Sequence, residues 1–171
     1  MSSSVEPRTI KHITVRKRPD PWCAAFEAEL DASGIPIALP HRESWASTFG
    51  STQSLVVGLA DDQGRALYAC SVDVVPLRSL PGHTTYRVQR FGYGLDGEAV
   101  GAVLRELARH ARARRNVLRL IVETFAGDAA GLTHIGSAAS VLGLAPYFPP
   151  QRYTRTLRLE LGSSLEATFE G

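Results

Sequence analysis

The stretch from Thr85 to Phe125 constrains the fold more than any other part of the chain. TYRVQRF has strand composition and ends in the glycine-containing turn GYGLDG. From Glu98 to about Arg114, Val100, Val103, Leu104, Leu107 and Ala111 recur at helical spacing on one face. VLRLIVETF, Val117 to Phe125, is then an apolar run of strand length. A strand, a helix and a strand in that order form a βαβ unit with a right-handed crossover and two parallel, adjacent strands. The second strand reads as buried, since parallel strands are normally covered on both faces.

The remaining elements must extend that unit. His12 to Lys17 alternates Ile13 and Val15 with polar residues and predicts a first strand after a loose arm over residues 1–10. Asp20 reads as an N-cap with Pro21 at the first helical position. Trp22, Ala25, Phe26 and Leu30 then predict a helix ended by Gly34. HRESWASTFG predicts a short helix with Trp45 and Phe49 on one face, and both tryptophans are expected in the core. Leu55 to Ala60 and Ala66 to Val75 flank the polar turn Asp61 to Gly64 and read as an antiparallel hairpin. Asp128 to Leu142 predicts a weaker helix closed by Gly143. A last strand over RYTRTLRLEL and the start of a further helix at residues 163–171 complete the reading, so that residues 11–162 form one domain.

Composition enters as a filter. The 171 residues suffice for one domain with a real core, and 44% hydrophobic with 21% charged residues is the balance of a globular protein. A net charge of +2 is too small to argue for nucleic acid on its own. Arg105, Arg109 and Arg112 do line one helix face, where RNA-backbone contact competes with pairing to Glu106 and solvation. Cys23 and Cys70 fit neither a metal-ligand spacing nor a disulfide framework and read as small buried hydrophobes. No apolar run approaches the roughly 18 residues of a membrane span, and the first residues lack the apolar core of an export signal, so a cytoplasmic location is expected. Arginine and alanine richness suggests a bacterial source.

The turn VQRFGYGLDGE poses the chemical question. Gln89, Gly92 and Gly94 spell QxxGxG, and glycines before a helix N-terminus let a backbone approach a phosphate group. Asp96, however, puts a negative charge where an anionic ligand would sit, and a capping carboxylate explains it equally well.

The order β, α, α, hairpin, β, glycine turn, long helix, β, helix, LGL, Pro-rich link, β resembles the GNAT acyltransferases, in which this turn holds the pyrophosphate of acyl-CoA. The implied fold is α/β (α+β), a mixed sheet of about six or seven strands flanked by helices. From about Pro40 onward, Trp45, Gly92, Asp96, Gly143 with Leu144, Thr154 with Leu159, and Ser164 with Glu166 look like the first GNAT-like half of FemAB-type proteins. That family includes the aminoacyltransferases of peptidoglycan cross-bridges. The resemblance implies an N-acyl or aminoacyl transferase acting on an amine of a cell-envelope precursor. Its donor would be aminoacyl-tRNA and no cofactor would be needed. Two alternatives are a stand-alone N-acetyltransferase with acetyl-CoA as co-substrate, and a non-catalytic GNAT-like module. FemAB-type proteins are about twice this length, so a second half or a homodimer is an expected partner.

Acyl transfer to an amine needs a proton route. Glu123, on the strand expected to be buried, is the first candidate for a base, with solvent exposure or pairing to Arg119 as the competing reading. Tyr147 and Tyr153 stand where GNAT enzymes commonly place a tyrosine acid, although aromatic residues beside a Pro-rich link also serve as packing. Arg90 and Tyr93 flank the glycine turn and are candidates for binding an anionic substrate. His134 is read as a packed or solvated histidine.

Overall fold

The computed structural model describes residues 10–49, 53–93, 95, 97–124 and 129–145. Within them the chain forms β1 (Ile10–Lys17), α1 (Pro21–Ala32), a 3-10 turn (Leu39–His41) and α2 (Glu43–Phe49). β2 (Ser54–Asp61), β3 (Ala66–Pro76), β4 (Thr84–Phe91), α3 (Gly97–Arg112), β5 (Val117–Thr124) and α4 (Ala129–Val141) follow. The five strands lie in sequence order in one sheet, antiparallel from β1 to β4, with β4 and β5 parallel. The sheet is thus mixed and flanked by helices, with five strands among the described residues where six or seven were expected. The expected strand over RYTRTLRLEL and the helix after it lie outside the described residues.

Local chemistry sets the element boundaries. Asp20 accepts a hydrogen bond from the Trp22 amide at 2.9 Å with Pro21 in the first turn, and Gly34 follows α1 at φ 66°. The Asp61 carboxylate accepts from the Gln63 and Arg65 amides at 2.9 and 3.0 Å, which closes the β2–β3 hairpin. Gly143, at φ 71°, ends α4.

Two helices cover opposite faces of the sheet. α3 buries Ala99, Val100, Val103, Leu104, Leu107, Ala108 and Ala111. These pack on Val57, Leu59, Cys70, Val72, Tyr86 and Val88. α1 packs Cys23, Phe26 and Leu30 on Val56, Ala60, Ala66 and Ala69. Close approach of α1 depends on Gly58, where an added Cβ would lie 2.6 Å from the Trp22 ring. The buried stripe of α1 therefore runs through Cys23, whereas Ala25 is exposed. Trp22, stacked on Phe26 at 4.6 Å, and Trp45 are half-buried rather than fully internal. Both cysteines are buried and free.

β5 departs most from expectation. Its residues are half-buried or exposed, with Leu118 46% exposed, because only its α3-facing side meets the main core. An apolar run signals strand length well but cannot say how many faces are covered.

Candidate active site

The upper end of β4 leaves its ladder with β3 and bulges in its ladder with β5. Pairing with β3 runs from Pro76 opposite Thr84 to Asp73 opposite Arg87 and stops there. Pairing with β5 shifts register between Val88, opposite Val122, and Phe91, opposite Thr124. Three steps on β4 match two on β5, so one extra residue is accommodated at Gln89–Arg90. Arg90 takes φ 49°, a left-handed value uncommon for a non-glycine residue, and Gly92 follows at φ 98°. The chain then turns, with the Leu95 amide donating to the Gly92 carbonyl at 3.2 Å, and α3 begins at Gly97.

Side chains stand in for the missing rungs. His41, at the end of the 3-10 turn, is only 3% exposed, and its Nδ1 accepts from the Ser71 amide of β3 at 3.0 Å. That bond fixes Nε2 as the protonated nitrogen. Nε2 completes no hydrogen bond, and the ring lies near the Arg90 backbone across the gap. Burial pushes the imidazole pKa down to about 4; the Arg90 backbone opposes this, and the Arg18 and Arg90 guanidiniums add to it. Arg18 is buried at the end of β1. Its Nη2 donates to the His41 carbonyl at 2.9 Å and to Ser71 Oγ at 3.1 Å, and its Nη1 to the Arg42 carbonyl at 3.2 Å. Glu43 pairs with Nη1 at 2.9 Å.

From the α3 side, Tyr68 reaches the glycine turn. Its hydroxyl is buried, completes no hydrogen bond, and lies beside the Gly92 backbone and the Cys70 thiol. Burial raises its pKa well above the ordinary value, and burial pushes the Cys70 thiol up to about 12. Both groups stay protonated at neutral pH.

Of the residues named from sequence, those described gather around the bulge in β4. Gln89 and Gly92 sit at the break in β4; the Gln89 amide donates to Asp73 Oδ2 at 3.2 Å. Arg90 and Tyr93 are exposed beside the turn. Glu123 lies next to the register shift, and its partner is Arg87 rather than Arg119. Arg87 Nε donates to Glu123 Oε1 at 2.6 Å, and Arg87 Nη2 also contacts that oxygen. Gly94, Tyr147 and Tyr153 lie outside the described residues. His134 packs against the start of α3, where a Cβ on Gly97 would come 2.9 Å from its Nδ1.

His41, Arg18, Ser71, Asp73 and Arg87 are the polar residues that sequence reasoning missed. Strand alternation is the signal that would have found Ser71, Asp73 and Arg87, since it turns them to the side opposite Cys70, Val72, Tyr86 and Val88. Arg109 is paired with Glu106, and Arg112 donates to the Leu142 carbonyl at 2.9 Å. Among the described residues, no group of three or more His, Cys, Asp or Glu side chains is placed to hold a metal ion, and no helix is long and apolar enough to cross a membrane.

A mixed sheet with a broken fourth strand, a glycine turn and a long crossover helix to a parallel fifth strand is the fold of the GNAT acyltransferases. It is similar to ribosomal-protein-alanine N-acetyltransferase from Brucella melitensis biovar Abortus 2308, with a TM-score of 0.53 at 13% identity over 85% of this chain and 100% of that one. A probable acetyltransferase (TM-score 0.49, 14% identity) and an acetyltransferase of Trypanosoma brucei (0.46, 13%) each match 88% of this chain and 100% of their own. No protein-family model and no curated protein matches the chain.

Proposed function

We propose that this chain is an N-acyltransferase domain whose acyl donor lies along the break in β4 and whose amine acceptor approaches from the face carrying α1 and α2. The observation that carries the reading is the loss of register at Gln89–Arg90 directly before Gly92 and the N-terminus of α3. A strand end whose edge toward β3 is unpaired can take up the extended, amide-bearing arm of an acyl-CoA. The turn and helix start behind it suit that donor's phosphates, because amides and the helix dipole favour an anion there. Gly92, at φ 98° and with no side chain, leaves the turn backbone bare, and the buried Tyr68 hydroxyl beside it completes no hydrogen bond.

In the reaction the amine nitrogen bonds to the acyl carbonyl carbon, the carbon–sulfur bond breaks, and the amine proton leaves to a base. Glu123 is the proposed base. Both contacts from Arg87 fall on its Oε1, which holds the carboxylate in place beside the break. Tyr147 and Tyr153 remain proposed donors of a proton to the departing thiolate, and Arg90 and Tyr93 proposed contacts for an anionic part of a substrate.

A FemAB-like reading, with aminoacyl-tRNA as donor and an envelope-precursor amine as acceptor, draws support from Glu98. That carboxylate is exposed in the first turn of α3, where it competes with a bound phosphate. Here the bond broken is the carbon–oxygen bond of the aminoacyl ester.

Calorimetric titration with acetyl-CoA and with aminoacyl-tRNA, on the wild type and on Gly92→Glu, tests both readings. Acetyl-CoA binding lost in Gly92→Glu supports the first, and binding of aminoacyl-tRNA alone supports the second. A folded wild type that binds neither donor overturns the proposal. If a donor binds, Glu123→Gln is expected to lower kcat with little change in donor affinity, by roughly the hundredfold or more that a general base contributes.

A further inference from the structure

A cavity of about 370 Å³ lies at the other end of the sheet, where β4 and β5 begin rather than end. The eight residues of β4 at about 3.3 Å each place it some 20–25 Å from the glycine turn. Its floor is apolar, made by Leu55, Val74 and the Tyr86 ring. The His110 imidazole stacks on Tyr86 with ring centroids 5.8 Å apart.

The polar lining is one-sided. Lys17 and Arg114 are exposed at the wall with Arg16 beside them, and no carboxylate lines the cavity. Among the described residues none of these three cations is ion-paired. Arg114 is instead held over the cavity by its own Nη1 donating to the His110 carbonyl at 3.0 Å. Burial and the Arg114 charge lower the His110 pKa, which leaves the ring neutral at physiological pH. The volume falls within the range of small-molecule sites, which combine an apolar lining with a few placed polar groups.

We propose that this cavity is a second small-molecule site, separate from the break in β4, that takes an aromatic carboxylate. The carboxylate is received by Lys17 and Arg114, and the ring lies on the apolar floor of Leu55 and Val74 beside the His110 imidazole.

The test uses the full chain with 4-fluorobenzoate as probe, followed by fluorine NMR, and inorganic phosphate as the bare-anion control. Saturable binding is expected, with shifts of the His110 and Tyr86 resonances and phosphate at least about tenfold weaker. Lys17→Gln combined with Arg114→Gln is expected to weaken benzoate binding by about tenfold or more, the scale of losing charge-assisted hydrogen bonds. Gly92→Glu is expected to leave it unchanged. Absence of saturable binding, shifts confined to other residues, phosphate equal to benzoate, or full affinity in the double variant would each overturn the proposal. The resonance shifts are read on the wild type, so that arm holds even if a variant misfolds.

Discussion

His41 ties the stability of this protein to pH in a way that a single substitution should remove. Its Nδ1 lone pair is committed to the Ser71 amide, and the Arg18 guanidinium sits on its carbonyl. Protonation must break the first bond and add a cation beside the second group. The folded pKa is accordingly depressed from 6.5 to about 4. Above the unfolded value both states are neutral and the group costs nothing. As pH falls through 6.5 the unfolded chain takes up a proton that the folded chain refuses. The protein is thus destabilised progressively down to the folded value. The gap is worth about 3 kcal/mol in full, and about 2.5 kcal/mol of it is lost by pH 4.5.

The perturbation is His41→Asn, whose side-chain oxygen can replace Nδ1 as acceptor while removing the titrating ring. At pH 7.5 the variant is expected to be less stable by about 1–2 kcal/mol through lost packing. Between pH 7.5 and 4.5 it should then lose about 2.5 kcal/mol less than the wild type. Carboxylates contribute to the pH dependence of both proteins, so the difference between them isolates the imidazole. Urea unfolding followed by fluorescence of Trp22 and Trp45, both half-buried, measures it. Equal pH dependence in the two proteins, or an NMR titration placing His41 near its ordinary value, would refute the reasoning.

Three further outcomes are expected. Arg18→Ala should cost about 3–5 kcal/mol in urea unfolding because it strands buried carbonyls, and Arg18→Lys should recover only part of this without the forked donor geometry. Gly92→Ala forces a Cβ onto a backbone at φ 98° and should cost about 1–3 kcal/mol, seen as a lower urea midpoint with an unchanged slope. Leu107→Ala, at a position 2% exposed between α3 and the sheet, should cost about 2–5 kcal/mol; a loss below about 1 kcal/mol would contradict the packing described.

Local signals carried much of the architecture. The 3.6-residue period of α3, the Asp20–Pro21 start of α1 and the Asp61 turn are each written in a few adjacent residues, and the structure follows them. The crossover from β4 to β5 follows from their order, because a strand–helix–strand unit admits one common hand. The site was less legible because its parts act at a distance. His41 opens the segment HRESWASTFG, which reads as a short helix packed through Trp45 and Phe49, and its burial depends on Arg18 and Ser71, 23 and 30 residues away in sequence. Glu123 finds Arg87, 36 residues away, in preference to the local Arg119, since strand register rather than sequence proximity sets its neighbours. The break at Gln89–Arg90 gave no warning, because an arginine rather than a glycine takes the left-handed conformation.

That break explains why so many polar groups are buried on the same level of the sheet. Where one ladder stops and the other bulges, buried main-chain groups must be satisfied by other means, since orphaned amides and carbonyls cost about 1–3 kcal/mol each. His41 bonds the β3 amide of Ser71 where pairing with β4 has stopped, and the Gln89 amide reaches back to Asp73 just below. Arg18 then anchors the turn that carries His41, so the wedge is held from behind as well as in front. Without this bracing the energetically favoured course for β4 would be to close onto β3 and remove the opening between them. The buried His–Arg–Ser cluster therefore keeps the end of β4 apart from β3. A destabilising cost near pH 4 accompanies that geometry because the group best shaped for the wedge is one that can also take up a proton.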